Sequence, residues 1–274
     1  MLDQLQDLDP IIQAGLAGGF TWAITAAGAA IVLFVRQPGT RFLDTMLGFA
    51  AGVMLAASVW SLLIPAIERS EEGSLPAWLP AGAGLAVGAG SLWIIDQILP
   101  HIHPLQRNAT AEGMSSAWRQ TTLLIMAITI HNIPEGLAVG VAFGALQDVD
   151  SGSEMTTAFG AAVALAIGIG LQNFPEGISV SLPLRGQGFS RARSLWYGQL
   201  SAAVEPVAAI VGALAIVLIS PILPWALAFA AGAMVFVVVE ELIPQSHSRG
   251  NGDLATLGTV FGFIVMMTLD VALG

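Results

Sequence analysis

Residues 121–147 read TTLLIMAITIHNIPEGLAVGVAFGALQ, an apolar run with His131, Asn132 and Glu135 written into its middle. About 20 apolar residues suffice to cross a hydrocarbon core of roughly 30 Å, so this run is long enough to span a bilayer as one helix. The rest of the chain is of the same kind. Of its 274 residues 55% are hydrophobic and 10% charged, and the mean hydropathy is +0.77, outside the range of soluble globular domains. Apolar runs separated by polar or Pro/Gly-marked breaks place helices near 11–35, 42–67, 77–99, 120–146, 156–184, 195–219, 222–244 and 254–273. The expected fold is an all-α integral membrane protein of eight transmembrane helices, with residues 1–274 forming a single domain. The shortest break is Ile219-Ser220-Pro221-Ile222, which requires a very tight turn between two spans.

Composition removes several function classes. With no cysteine there are no disulfides, thiolate metal sites or cysteine nucleophiles, so a metal would bind through oxygen, imidazole or thioether. The net charge is -10, Lys is absent and the nine Arg are scattered, so no nucleic-acid partner is expected. Met1–Pro10 carries Asp3, Asp7 and Asp9 with no basic residue, unlike a cleaved signal peptide.

Arg36, Arg41, Arg107, Arg119, Arg185, Arg191, Arg193 and Arg249 fall in alternate loops, and only Arg69 lies on the other side. The positive-inside rule makes those loops cytoplasmic and puts both termini outside. The opposite face carries Asp3, Asp7, Asp9, Glu68, Glu71, Glu72, Asp148, Asp150 and Glu154. These are either ordinary solvated loops or an electrostatic funnel for cations, with Glu68 at the entrance.

Two segments are written twice. His131-Asn132-Ile133-Pro134-Glu135-Gly136 of the fourth span matches Gln172-Asn173-Phe174-Pro175-Glu176-Gly177 of the fifth. Phe49-Ala50-Ala51-Gly52-Val53-Met54 of the second span matches Phe229-Ala230-Ala231-Gly232-Ala233-Met234 of the seventh, each followed by a leucine (Leu62, Leu242) and a proline (Pro65, Pro244). Spans two and seven are an odd number of crossings apart and so run oppositely. That is the signature of inverted repeats relating the first three helices to the last three around a central pair, although helices rich in small residues also match by chance.

An ionised side chain near the bilayer centre costs at least ~2.5–3.5 kcal/mol, so intramembrane polar groups face a partner, a cavity or an ion. His131 and Glu135 share a helix face, as do Gln172 and Glu176, and Asn132 and Asn173 lie three residues before the glutamates. Pro134 and Pro175 loosen the carbonyls of Ile130 and Leu171. Glu205-Pro206 adds a third carboxylate inside the sixth span, and Met54 lies at similar depth in the second. No Arg stands mid-span, so protons, metal ions or each in turn must neutralise Glu135, Glu176 and Glu205. Imidazole, carboxylate and amide donors suit zinc and its first-row neighbours better than calcium or magnesium. A second polar group gathers at the cytoplasmic ends: Asp44, Asp96, His101, His103, Glu240, Glu241 and His247.

At these residues the sequence resembles the ZIP family (Zrt-/Irt-like proteins), in particular its prokaryotic branch, over essentially the whole chain. The resemblance implies an uptake carrier with a two-metal site between the central helices. Met54, His131, Gln172, Glu135 and Glu176 would form one metal site, and Asn132, Glu135, Asn173, Glu176 and Glu205 the other. Asp96, His101 and His103, with Glu240 and Glu241, would serve cytoplasmic release. Gln172 and Glu176 stand where many relatives have His, which shifts the expected preference toward harder ions and cadmium. Asn173 stands where relatives can carry Asp, and Glu240 where some have His. Zinc, or cadmium, iron(II) or manganese(II), is expected as transported ligand and not as cofactor. A bacterial inner membrane is the expected location, and a homodimer is compatible with the sequence without being specified by it. A metal-selective channel and an intramembrane metallohydrolase are the competing classes; the latter lacks a His-Glu-x-x-His helix.

Overall fold

The computed structural model describes residues 5–35, 39–71, 73–98, 120–149, 152–186 and 188–273, with 120–128 as backbone only. The architecture is all-α. The helices are α1 (Pro10–Leu33), α2 (Thr40–Glu71), α3 (Trp78–Ile98), α4 (Gln120–Gly144), α5 (Ser153–Gly186), α6 (Arg191–Leu218), α7 (Ser220–His247) and α8 (Gly252–Leu273). Among the described residues seven of these helices are long and apolar enough to cross a membrane, and α4, at 25 residues, is about 37 Å long at 1.5 Å per residue. The eight helices begin and end within a few residues of the expected runs. His101 and His103, with Arg36, Arg107, Arg119, Glu72, Asp150 and Asp3, lie outside the described residues.

Local chemistry explains where the helices start and bend. Asp9 caps α1 by accepting from the Ile11 N–H at 2.9 Å, with Pro10 at the first helical position. Gln13, buried, ties down the preceding segment by donating to the Leu5, Gln6 and Leu8 carbonyls. Helices α2 and α7 each widen into a π turn, over Ser58–Leu63 and Val238–Leu242, immediately before Ile64-Pro65 and Ile243-Pro244. A proline cannot donate to the carbonyl four residues back and its ring crowds that carbonyl; a wider turn relieves both problems.

Helices α2 and α8, and helices α7 and α3, make the same joint. Gly262 of α8 lies against the Phe49 carbonyl of α2, and Gly88 of α3 lies against the Phe229 carbonyl of α7. In the reverse sense Gly52 of α2 meets the Thr259 carbonyl, and Gly232 of α7 meets the Leu85 carbonyl. A Cβ at any of these four positions would collide with backbone. Such close approach is how helices associate where lipid removes the hydrophobic driving force. Phe49 and Phe229, and Gly52 and Gly232, are the equivalents found in the sequence, so the inverted repeat is carried by the packing.

The remaining helices pair as α4 with α6 and α5 with α1. Gly136 of α4 abuts the Glu205 carbonyl of α6, and Gly177 of α5 abuts the Thr25 carbonyl of α1. These four helices bring the polar motifs together.

Candidate metal site

Pro206 sets the geometry on α6. It has no N–H to give the Ala202 carbonyl, which instead takes the Glu205 N–H at 3.0 Å, and the helix is interrupted over 201–203. The Ser201 carbonyl, released from the helical ladder, accepts from Asn132 Nδ2 of α4 at 2.9 Å. On the other side of the bundle Asn173 Nδ2 of α5 donates to the Thr21 carbonyl of α1 at 3.3 Å and to both Glu205 oxygens at 3.0 and 2.9 Å. Gln172 Nε2 donates to Glu135 Oε1 at 2.9 Å.

The result is a buried cluster of Glu135, Glu176, Glu205, Asn132, Gln172 and Asn173. With their N–H groups committed, the amides leave Asn132 Oδ1, Gln172 Oε1 and Asn173 Oδ1 without hydrogen-bond partners, as is Glu135 Oε2. A buried acceptor without a donor is costly, and three amide oxygens beside three carboxylates, one of them with a free oxygen, form a surface suited to a cation. Among the described residues no group of three or more His, Asp and Glu side chains already stands at metal-ligand spacing, so the acceptor set is a mixture of carboxylate and amide.

His131 Nε2 lies 3.8 Å from Glu241 Oε1 of α7, and Gln245 Nε2 donates to Glu241 Oε2 at 2.6 Å. His131, Glu176, Ser179, Glu241 and Gln245 line a cavity of about 20 Å³, large enough for one water-sized body. It connects the cluster with α7.

Comparison with known proteins agrees with this constellation. The family described as ZIP Zinc transporter matches residues 106–270. The zinc transporter ZIP11 of Homo sapiens is 42% identical, covering 98% of this chain and 100% of the relative. Zinc transporter GufA of Myxococcus xanthus is 39% identical over 91% and 94% of the two chains. Zinc transporter ZIPB of Bordetella bronchiseptica is 37% identical over 95% and 81%. The chain belongs to the ZIP family. It is thus a multi-pass membrane transporter of divalent metal and not an enzyme, and zinc is cargo rather than cofactor.

Several residues singled out in the sequence fall into different settings within this ZIP protein. Met54 is fully buried in the apolar core of α2, in the same cluster as its repeat equivalent Met234. Glu240 and Glu241 both lie in the π turn: Glu241 is buried on the cluster side and Glu240 is exposed. Asp96 is near the end of α3, and Glu68 is exposed near the end of α2. Asp44, grouped by sequence with the release residues, is fully buried and ion-paired to Arg249, with Asn251 Nδ2 donating to its other oxygen at 2.8 Å. His247 bonds to the Ile243 carbonyl and Thr256, so both are fastenings of the α7–α8 connection.

Two polar groups escaped sequence reading. Ser61 Oγ donates to Asp270 Oδ1 at 2.6 Å between α2 and α8. Asp270, Glu154 and Arg69 line a cavity of about 450 Å³ at that end of the bundle. Asp270 follows a leucine near the chain's end and resembles an ordinary helix terminus; only its depth inside a span marked it.

Proposed function

We propose that this ZIP protein imports zinc into the cytoplasm as a secondary carrier, with cadmium, iron(II) and manganese(II) as competing cargo. The ion binds mid-bundle at a two-metal site: Met54, His131, Gln172, Glu135 and Glu176 on one side, Asn132, Asn173, Glu205 and the shared glutamates on the other. Release runs past Glu241 toward Asp96, His101, His103 and Glu240, and Glu68 belongs to the entrance. The positive-inside rule orients the chain with both termini outside, in a bacterial inner membrane.

The observation that carries this reading is the group of four unpartnered buried acceptors, Asn132 Oδ1, Glu135 Oε2, Gln172 Oε1 and Asn173 Oδ1, beside Glu176 and Glu205. Inside a membrane such a group persists only where an ion or proton visits it. Alternating access follows from movement of the α1/α4/α5/α6 group against the repeated α2/α8 and α3/α7 joints.

The test is uptake of radioactive zinc into liposomes holding purified protein, with cadmium, iron and manganese as competitors. Saturable uptake that Glu176→Ala removes is expected, because Glu176 serves both metals. Uptake equal in the variant would remove the mid-bundle cluster from the route. Fast, non-saturating flux would favour a channel.

A further inference from the structure

Helix α6 is broken just ahead of Glu205, and its neighbours hold the break. Within α6, Ser201 Oγ donates to the Gly198 carbonyl at 2.8 Å and the Ala203 N–H to the Leu200 carbonyl at 3.2 Å. Two further carbonyls take donors from other helices. Asn132 Nδ2 of α4 holds the Ser201 carbonyl at 2.9 Å, and Trp22 Nε1 of α1 holds the Gln199 carbonyl at 3.0 Å. The same indole N–H reaches Gln199 Oε1 at 3.0 Å, while Gln199 Nε2 donates to the Trp196 carbonyl at 3.2 Å. Asn132 thus grips the break from the cluster, and Trp22, 37% exposed, grips it from the outer surface of the bundle.

The grip at Gln199 lies two hydrogen bonds from Glu205. The Gln199 carbonyl also accepts from the Ala202 N–H at 3.3 Å, and the Ala202 carbonyl accepts from the Glu205 N–H at 3.0 Å. Helix α1 touches the other side of the break as well. Gly18, four residues before Trp22 on the same helix face, lies against Pro206, where a Cβ would come within 2.8 Å of the Pro206 Cα. Helix α1 is therefore a splint, fastened to α6 by Trp22 before the break and packed on it by Gly18 after the break. A tryptophan N–H away from water needs an acceptor, and carbonyls freed by a broken helix in lipid need donors, so the pair answers both needs. The peptide groups between these contacts aim the Glu205 side chain into the cluster, where its oxygens meet Asn173 Nδ2 at 3.0 and 2.9 Å.

Building on the mid-bundle site proposed above, we infer that Trp22 is a positioning residue for zinc binding, acting through Gln199 and Ala202 to fix where the Glu205 carboxylate stands. Without the indole N–H the Gln199 carbonyl is left with the Ala202 N–H, the break loosens, and Glu205 is no longer held in one place relative to Glu135 and Glu176. A carboxylate that binding must first order holds a cation less tightly than one already in position.

The experiment is equilibrium zinc binding to the purified full chain in detergent, comparing wild type, Trp22→Phe, Glu205→Gln and Trp22→Phe/Glu205→Gln, each checked for folding by thermal unfolding in the same detergent. Trp22→Phe keeps an aromatic ring and removes the N–H; it should weaken zinc binding by about 10-fold, the lower end of what losing an outer support costs a metal site. In the Glu205→Gln background the same change should weaken binding no further, because the carboxylate it positions is gone. A purely structural role would weaken binding equally in both backgrounds, and that result overturns the inference, as does wild-type binding by Trp22→Phe. Wild-type binding by Glu205→Gln instead overturns the mid-bundle site, a distinguishable result. If Trp22→Phe does not fold, Gln199→Leu decides: it removes one of the two acceptors of the indole N–H and should show the same dependence on Glu205 at smaller size, and unaltered zinc binding overturns the inference.

Discussion

The α2/α8 and α7/α3 joints are one structure made twice, down to the glycines that meet facing carbonyls; the α5/α1 and α4/α6 joints share a backbone and the Asn-x-Pro-Glu-Gly side chains but differ in the polar groups beside them. In the first pair Gly52 answers Gly232 and Gly262 answers Gly88. In the second, His131 answers Gln172, and Glu205 of α6 has no carboxylate counterpart in α1. A framework that must hold two orientations of the same fold tolerates no change where backbones touch. A site that must bind a cation in one place gains from asymmetry, because unequal lobes give the ion a preferred seat and a way out.

That contrast can be broken at several points. The largest effect is expected from Glu176→Ala, which should lower zinc flux in liposomes by about 100-fold or more while the protein remains folded. Next come Gly52→Leu and Gly232→Leu, each forcing a side chain into backbone and costing more than about 3 kcal/mol. Thermal unfolding in detergent should find the two variants equally damaged, and tolerance of one alone would break the equivalence of the joints. Arg249→Met leaves buried Asp44 without its charged partner and should cost about 3–5 kcal/mol, most of it recovered in the double variant with Asp44→Asn. The smallest effect sharpens the contrast best: Met54→Ala and Met234→Ala should cost similar stability, about 2–5 kcal/mol. Only Met54→Ala should also alter the zinc-to-cadmium competition ratio in transport, by a few-fold on the scale of one weak ligand.

The spans were legible because bilayer thickness imposes a length on apolar runs, and the ends from Pro10 to Leu273 followed. The repeat was legible because Asn-x-Pro-Glu-Gly and Phe-Ala-Ala-Gly are constrained by contacts on both sides. Other features were not, since they depend on what lies across the bundle. Glu205-Pro206 was read as a third carboxylate, with nothing to say that the helix would break before it and leave the Ser201 carbonyl to Asn132. Glu241 faces inward and Glu240 outward from within the π turn before Pro244, and the widened turn that sets this facing was not visible in the sequence. Asp44 was read with the release residues by depth alone, and its ion pair with Arg249 depends on a partner far along the chain.

The most direct test is equilibrium zinc binding to the purified protein and to Glu135→Gln/Glu176→Gln, a pair of nearly isosteric changes that remove the shared carboxylates. The account predicts tight, saturable zinc binding by the wild type and its loss in the double variant, with folding retained. Undiminished zinc binding by that variant would contradict it, because the ion would then be held somewhere other than between α4 and α5.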